Sequence, residues 1–280
     1  MLDRGFCPNG QNFQAGIVCY HAGMTEKIDF ERRFGGVGRL YGDAALRRFK
    51  EAHVCVIGIG GVGSWAAEAL ARSAIGKLTL IDLDHIAESN TNRQIHALGD
   101  EYGKAKVQAM RERILAINPL CQVTAVEEFV AADNLELLLG QGFDYVVDAI
   151  DQTRVKAAMI AWCKVNKVDL VTTGSAGGQL DPARITVADL SQTIQDPLAA
   201  RVRSLLRKEY GFPSGSKQKF GVECVFSDEP LRYPVQTCDI DEPQAPAGLN
   251  CAGFGSSVCV TASFGLVAAS RVIIRLANPE

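Results

Sequence analysis

Short apolar runs alternate with amphipathic segments through the first two thirds of the chain. The runs at 54–57, 78–81 and 145–150 are rich in Val, Ile and Leu, a pattern typical of strands buried on both faces of a sheet. Between them, apolar residues recur three and four positions apart at 103–117 and 153–166, which predicts helices with one buried face. This alternation favours a Rossmann-like, doubly wound α/β fold with a mainly parallel sheet.

The alternation defines one domain and weakens after residue 179. We predict a single domain over 30–280, with a nucleotide-binding core at 52–178, a C-terminal elaboration at 179–280 and a loose N-terminal extension at 1–29. The sequence leaves open whether translation starts at Met1 or Met24. The smaller predicted elements are a helix capped by Asp43, strands at 122–126, 170–173, 184–187 and 222–226, helices at 134–139, 197–210 and 255–276, and a long loop at 228–250.

Composition narrows the class of protein without identifying it. The chain has 280 residues, is 47% hydrophobic and carries a net charge of −3, so any nucleic-acid contact has to be a local basic surface. Its nine cysteines form no C-x-x-C pair, which favours reduced thiols in a cytoplasmic protein and argues against zinc. The apolar stretch at 256–274 contains Ser, Thr and Arg residues, and we expect a core helix rather than a membrane span.

A glycine-rich turn follows the first predicted strand. Gly58, Gly60 and Gly63 have the G-x-G-x-x-G spacing, in which one glycine permits the tight turn, one lets a phosphate approach and one lets the helix pack close to the strand. Asp82 ends the next predicted strand, where an acidic residue contacts the ribose hydroxyls in such folds. Alone, this pattern predicts a bound nucleotide, most often a dinucleotide.

Charged residues beyond the glycine turn argue against hydride transfer. Arg93 and Lys106 follow the second predicted strand, and Asp148 and Asp151 lie at the end of the strand at 145–150. A nicotinamide-dependent oxidoreductase has no use for the two cations, whereas cleavage of ATP between its α- and β-phosphates builds charge that cations stabilise. Acidic residues nearby suit Mg²⁺ or a hydroxyl group. The sequence therefore favours an enzyme that splits ATP.

Five motifs, in order along the chain, resemble those of the adenylation superfamily that contains the ubiquitin-activating enzymes and the bacterial sulfur-carrier activators. They are G-x-G-G-x-G at 58–63, D-x-D at 82–84, N-x-N-R-Q at 90–94, Lys106, and D-x-x-D at 148–151. The nucleotide-binding residues that the resemblance implies are Gly58, Gly60, Gly61, Gly63, Asp82, Asp84, Asn90, Arg93, Lys106 and Asp148. It implies catalytic roles for Arg93, Lys106 and Asp151, with Asp151 as the Mg²⁺ ligand. It also implies a homodimer, in which Arg39 reaches into the partner subunit's site.

Longer phrases resemble one branch of that superfamily, the tRNA threonylcarbamoyladenosine dehydratases. They are R-F-G-G at 33–36, N-R-Q-I-H-A at 92–97, V-T-T-G at 171–174, I-Q-D-P-L-A-A at 194–200 and E-C-V-F-S at 223–227. The resemblance implies that ATP adenylates the threonyl carboxylate of the modified adenosine beside the tRNA anticodon. The neighbouring carbamoyl group then attacks the acyl carbon, AMP leaves and a ring closes. The implied partner is tRNA carrying threonylcarbamoyladenosine.

Three other functions stay open on the sequence. One is adenylation of the C-terminus of a ubiquitin-like sulfur-carrier protein, although two C-x-x-C pairs and a separate domain with a thioester cysteine are missing from the pattern. A second, a nicotinamide-dependent oxidoreductase, rests on the glycine spacing alone. The third is a nucleotide-binding scaffold without catalytic activity.

Several residues have a functional interpretation beside a structural one. A basic run either contacts tRNA phosphates or forms a solvated helix face, and its members are Arg201, Arg203, Arg207, Lys208, Lys217 and Lys219. Residues 174–178 line the substrate pocket or hold a monovalent cation. His96 is a candidate for the pocket wall, and Cys224 is expected to be a buried thiol. A cysteine desulfurase or another sulfur-acceptor system is left open as a partner.

Overall fold

The computed structural model describes residues 28–215, 218–233 and 254–279, and in them seven strands form one sheet. The strands are β1 His53–Ile57, β2 Lys77–Ile81, β3 Gln122–Val126, β4 Tyr145–Asp148, β5 Asp169–Thr173, β6 Ile185–Asp189 and β7 Glu223–Ser227. The helices are α1 Phe30–Tyr41, α2 Asp43–Glu51, α3 Gly63–Arg72, α4 Lys106–Ile117, α5 Leu135–Leu139, α6 Thr153–Asn166, α7 Pro197–Glu209 and α8 Val258–Ala277.

The sheet is doubly wound, which confirms the predicted fold. Its strand order is β3-β2-β1-β4-β5-β7-β6, and every neighbouring pair is parallel except β6 with β7. The chain runs outward from β1 to β3 and then returns to place β4 on the other side of β1. This reversal leaves a crevice at the carboxyl ends of β1 and β4, which is where such sheets bind ligands.

Helices cover both faces of the sheet. On one face α2, α3, α4 and α8 pack around the buried Phe49, Leu70 and Phe264, and on the other α5, α6 and α7 pack around Met159 and Val202. The central strands β1, β2 and β4 are buried almost throughout, which explains why their sequences are continuous apolar runs.

The N-terminal helices differ from the predicted pattern. Helix α1 was not predicted, because it contains glycines at 35, 36 and 38, which have low helix propensity. Its capping residue is Asp29, whose carboxylate accepts from the Arg32 N–H at 2.9 Å. Asp43, predicted as the cap of α2, is its first helical residue, and Gly42 with φ of 88° precedes it. Asp43 therefore contributes through its charge near the helix dipole.

Helix α4 begins later than predicted. Gly103 adopts φ of 85°, a left-handed conformation that ends the preceding turn, and the first helical residue is Lys106. The Lys106 N–H instead donates to the Asp84 carbonyl at 3.0 Å. This start places the Lys106 side chain beside the ends of β1 and β2, where it faces the crevice.

Helix α8 has the length and composition of a membrane span, with a mean hydropathy of 1.6 over its apolar window. Val260, Phe264, Ala268 and Val272 are buried in the main core, and α8 packs closely along α3. The buried face is that of a core helix, as the sequence predicted. The predicted loop at 228–250 lies mostly outside the described residues, as does the predicted N-terminal extension at 1–29.

Candidate active site

A cavity of about 450 Å³ opens at the carboxyl ends of β1, β2, β4 and β5. Most of the predicted nucleotide-binding residues meet here: Gly58, Gly60, Gly61, Asp82, Asp84, Asn90, Arg93, Lys106 and Asp151 all line it. Residues 174–177 form another part of its wall, as one of the two interpretations of that loop predicted. The cavity therefore combines a glycine turn, two cations and four carboxylates, since Glu128 lines it as well.

The glycine turn is closed by close backbone contacts. Gly58 adopts φ of 85°, and a Cβ at this position would lie 3.0 Å from the Ala149 carbonyl oxygen. A Cβ at Gly63 would overlap the carbonyl oxygen of Gly58, so helix and turn pack together without side chains. At Gly60, by contrast, the nearest heavy atom to an added Cβ is the Gln94 Nε2 at 4.0 Å. This open backbone beside the start of α3 is a cradle suited to a phosphate.

Asp82 holds the glycine turn in place. Its carboxylate accepts from the Ile59 N–H at 2.6 Å and from the Asp84 N–H at 2.8 Å. Burial raises the pKa of the Asp82 carboxyl, while the charge of Lys106 and the two backbone hydrogen bonds oppose that shift. The same carboxylate lines the cavity, so it both fixes the turn and presents an oxygen at the position predicted for a ribose acceptor.

Lys106 is buried, and its ammonium group binds Asp84 at the cavity wall. The Nζ lies 2.6 Å from Asp84 Oδ2, and the Asp84 side chain is exposed. An ammonium group in this position is held at the cavity by an acid that remains in contact with solvent.

Arg93 is positioned by the turn that carries it. Its Nη1 donates to the Ser89 carbonyl and to the Asn92 Oδ1, both at 2.9 Å. The buried Asn90 accepts from the Ala87 N–H at 3.0 Å and so stabilises the same turn. The Trp65 indole donates to the Arg93 carbonyl at 3.0 Å. Arg93 and Asn90 both line the cavity as predicted, with Asn90 also bracing the loop.

The two acids of the D-x-x-D motif occupy different environments. Asp151 lies beyond the end of β4, lines the cavity and has no hydrogen bond or ion pair within the described residues. Asp148 is the last residue of β4 and is fully buried, where it binds Lys156 at 2.8 Å and accepts from the Thr172 hydroxyl at 2.6 Å. Burial raises the pKa of the Asp148 carboxyl, against the effect of Lys156.

Asp148 therefore departs from the prediction that it contacts the nucleotide. Its side chain is not part of the cavity wall in the described structure, because Lys156 and Thr172 enclose it between β4, α6 and β5. Gly63 likewise contributes close packing at the start of α3 rather than cavity surface.

Three predicted residues lie away from the cavity. Arg39 is exposed on α1 and does not line the cavity of its own chain. His96 is buried beneath the Arg93 loop, and burial with the charges of Lys106 and Arg113 lowers its pKa to about 4. Cys224 is a buried thiol whose pKa is raised by burial, which confirms its structural interpretation.

The basic run divides into tethered and exposed members. Arg203 donates to the Thr193 hydroxyl, and Arg207 donates to the Pro213 carbonyl while covering the Phe220 ring. Arg201, Lys208 and Lys219 are exposed. Lys217 lies outside the described residues.

Several cavity residues had no predicted role. Gln94 stands in the N-x-N-R-Q motif, whereas Ser256 and Thr261 come from the start of α8, far along the chain. Asn92 joins these regions, because its Nδ2 donates to the Ser256 carbonyl and hydroxyl, both at 3.1 Å. No local sequence signal reveals this contact, although the polar residues at the start of an apolar helix mark where it begins.

The doubly wound sheet, the glycine cradle and the cations beside it define a nucleotide-binding protein of the adenylating class. The ThiF family model matches residues 36–279. The chain belongs to the ThiF family and, within it, to the tRNA threonylcarbamoyladenosine dehydratases.

Known proteins support both levels of this assignment. The chain is 54% identical over 252 residues to the tRNA threonylcarbamoyladenosine dehydratase of Escherichia coli, covering 88% of this chain and 94% of that protein. The crystal structure of the E. coli enzyme in complex with ATP is similar with a TM-score of 0.80 and 53% identity, covering 88% of this chain and 94% of that one. The molybdopterin-synthase adenylyltransferase of Salmonella typhimurium is 34% identical over 123 residues, covering 44% of this chain and 49% of that protein.

Proposed function

We propose that this protein is an enzyme that uses ATP to dehydrate threonylcarbamoyladenosine in tRNA, through adenylation of the threonyl carboxylate. The observation that carries the proposal is the convergence of the glycine cradle, Arg93, Lys106 and Asp151 on one cavity. The similarity to the E. coli dehydratase over nearly its whole length supports the same substrate. The sulfur-carrier relative matches less than half of the chain, so activation of a carrier protein is the weaker alternative.

ATP fits the cavity through its phosphates and its ribose. The open backbone at Gly60 and Gly61, beside the first turn of α3, supplies N–H groups for phosphate oxygens. The Asp82 carboxylate is the acceptor for the ribose hydroxyls, at the end of β2. In this arrangement the α-phosphate lies near the cations, where charge develops during the reaction.

Arg93 and Lys106 stabilise the negative charge that develops on the phosphates. Lys106 begins α4 and is braced by Asp84, while Arg93 is braced by Ser89 and Asn92, so little reorganisation is needed when ATP binds. Fixed donors of this kind are most effective when they are already oriented before the reaction starts.

Mg²⁺ fits Asp151. No cluster of three or more metal-ligating side chains is present in the part of the chain that the structure describes. Mg²⁺ commonly takes one or two protein carboxylates and completes its shell with phosphates and water, so a single unpaired carboxylate at the cavity suffices. Bound there, the ion would neutralise phosphate charge, and Asp151 would be its protein ligand.

The reaction conserves atoms in two steps. A threonyl carboxylate oxygen attacks the α-phosphorus, the bond to the β-phosphate oxygen breaks, and pyrophosphate leaves. The neighbouring carbamoyl group then attacks the acyl carbon and loses a proton, the bond from that carbon to the AMP oxygen breaks, and the ring closes. One carboxylate oxygen leaves with AMP, so the nucleoside has lost one water.

The assembly and the tRNA contacts extend the proposal beyond one chain. We assign Arg39 to the partner subunit's site in a homodimer, because it is exposed on α1 and apart from its own cavity. Among the described members of the basic run, Arg201, Lys208 and Lys219 are exposed and available to tRNA phosphates. A cytoplasmic location suits a tRNA substrate, while a monovalent cation at 174–178 and a sulfur-transfer partner stay predictions.

The proposal is tested by incubating the protein with ATP, Mg²⁺ and tRNA that carries threonylcarbamoyladenosine, then weighing the digested nucleoside. We expect the mass of one water to be lost and AMP to be formed in equal amount. Pyrophosphate exchange that appears only with a ubiquitin-like protein, and an unchanged nucleoside, would instead establish the sulfur-carrier alternative.

A further inference from the structure

Two helices begin at the cavity, side by side. Helix α3 starts at the glycine turn, and α8 packs parallel to it. The two helices approach closely at Gly265, because any Cβ at this position would overlap the Val62 carbonyl oxygen. The far end of α8 lies at the opposite edge of the sheet, where Arg271 binds Glu223 at the start of β7. At the near end, a Cβ on Gly61 would lie 3.5 Å from the Cβ of Thr261.

The first turn of α8 has uncommitted polar groups. Its N-cap residue, Ser257, makes no side-chain capping hydrogen bond, so the Val258 and Cys259 N–H groups lack that partner, whereas those of Val260 and Thr261 donate to the Ser257 carbonyl. The Thr261 hydroxyl is buried and has no hydrogen-bond partner within the described residues, with the side chain 4% exposed. Thr261 nevertheless lines the cavity. A buried hydroxyl without a partner is costly, and a ligand group is one way to satisfy it.

A second buried polar group, the Gln94 side chain, lies next to Gly60, with its Nε2 4.0 Å from the position of a Cβ on that glycine. The Gln94 side chain is 6% exposed, its Oε1 has no partner among the described residues, and it lines the same cavity. The Asn92 bonds to Ser256 fix this loop against the start of α8. The arrangement offers an acceptor at Gln94 and donors at Thr261 and the helix start, directly beside the cradle that Gly60 and Gly61 form at α3.

We propose that the first turn of α8, with Thr261 and Gln94, is the subsite that receives the carboxylate of the acyl substrate and the N–H group beside it. The inference rests on the proposed function, in which that substrate is the threonylcarbamoyl group. Adenylation brings a carboxylate against a triphosphate, so the two anions need separate sets of donors. The α3 cradle holds the phosphates, α8 and the Thr261 hydroxyl donate to the carboxylate, and Gln94 Oε1 accepts from the carbamoyl N–H.

The test separates this subsite from the ATP site with a nearly isosteric substitution. Thr261→Val removes the hydroxyl and Thr261→Ser keeps it, while Ser263→Ala is the control, since that hydroxyl already bonds the Cys259 carbonyl on the same helix. The measurements are the KM for tRNA carrying threonylcarbamoyladenosine, the Kd for ATP by calorimetry, and Tm. The wild-type protein is assayed alongside.

We expect Thr261→Val to raise the KM for tRNA about tenfold, with the ATP Kd within about twofold and Tm unchanged or higher, because an unsatisfied buried hydroxyl is removed. Thr261→Ser should restore the KM, and Gln94→Met should shift it in the same direction as Thr261→Val. A raised ATP Kd with an unchanged tRNA KM would assign the subsite to phosphate and overturn the proposal, as would no change in either. A wild-type protein that binds ATP but leaves the tRNA unchanged would overturn the proposed function, and this inference with it.

Discussion

Two lysine–carboxylate pairs lie within the same fold at different depths. Lys106 binds Asp84 at 2.6 Å with the acid 72% exposed, whereas Lys156 binds Asp148 at 2.8 Å with side chains that are 2% and 0% exposed. Asp84 lies past the end of β2, and Asp148 is still within β4. The comparison shows that a carboxylate beyond a strand end reaches the cavity, while one inside the strand is enclosed by the helix layer.

The two pairs should therefore fail in different ways. Losing the cation of the enclosed pair leaves a buried charge without compensation, which affects folding. Losing the cation of the open pair leaves a solvated acid, which affects the chemistry. The following predictions test this contrast.

The largest expected effect is on the stability of the enclosed pair. Lys156→Met should lower the free energy of unfolding by about 3–5 kcal/mol, because Asp148 is left buried without its partner. Lys164→Met, on the exposed side of the same helix, is the matched control and should change it by less than about 0.5 kcal/mol. Chemical denaturation measures both, and equal small losses would show that the buried pair contributes little.

The open pair should instead determine the rate. Lys106→Met should lower kcat about 10²–10³-fold, equivalent to about 2.7–4 kcal/mol, because a fixed cation is lost from the developing phosphate charge. Arg93→Ala should lower it by a similar factor. The control is Lys104→Met, two residues before Lys106 in the chain, where the ammonium group forms a half-buried ion pair with Glu101. Single-turnover AMP formation is the measurement, and near-normal rates for Lys106→Met would remove it from the mechanism.

The buried His96 should make stability depend on pH. Its pKa is lowered to about 4 in the folded protein, below the 6.5 of an unperturbed histidine, so the unfolded chain binds more protons between these values. Stability is therefore fully present above about pH 6.5 and is lost as pH falls toward 4, by on the order of 3 kcal/mol. His96→Leu should remove that slope in denaturation curves at pH 7 and 5. His85→Gln, at an exposed histidine, should keep it.

The two acids of the D-x-x-D motif should respond differently to neutralisation. Asp151→Asn should raise the Mg²⁺ concentration needed for half-maximal turnover at least about tenfold, as when a group supporting a metal is lost, without lowering Tm. Asp148→Asn should lower Tm instead, since it disrupts the pair with Lys156. Magnesium titrations and thermal melts of both variants decide the matter, and the reverse pattern would exchange the two assignments.

The smallest effects concern the basic run. Lys208→Ala or Lys219→Ala should each weaken tRNA binding a few-fold and reduce the slope of its salt dependence by about one phosphate contact. Lys77→Ala, at the opposite end of a central strand, should leave the slope unchanged. A salt-dependence slope equal to that of the wild-type protein in all three variants would show that tRNA binds to another surface.

The sequence predicted the parts of the site that are local in the chain. Strand ends carry Asp82 and Asp151, and the glycine turn follows β1, so their meeting at one sheet edge follows from the parallel fold. Asp148 was predicted to contact the nucleotide but is enclosed within β4, because the D-x-x-D motif does not reveal which of its acids lies inside the strand. Thr261 was missed, since only the packing of α8 against α3 brings it to Gly61. Helix α1 was missed because tertiary contacts override the weak helix propensity of its glycines.

The most direct test of adenylation follows one oxygen atom. The tRNA is prepared with 18O in the threonyl carboxylate and incubated with the protein, ATP and Mg²⁺ for a single turnover, and the AMP is then weighed. The mechanism predicts that one 18O atom from the carboxylate appears in AMP, because the acyl carbon–oxygen bond breaks after the carboxylate oxygen has bonded to the α-phosphorus. Unlabelled AMP beside a cyclised nucleoside that has lost one carboxylate 18O atom to water would contradict adenylation.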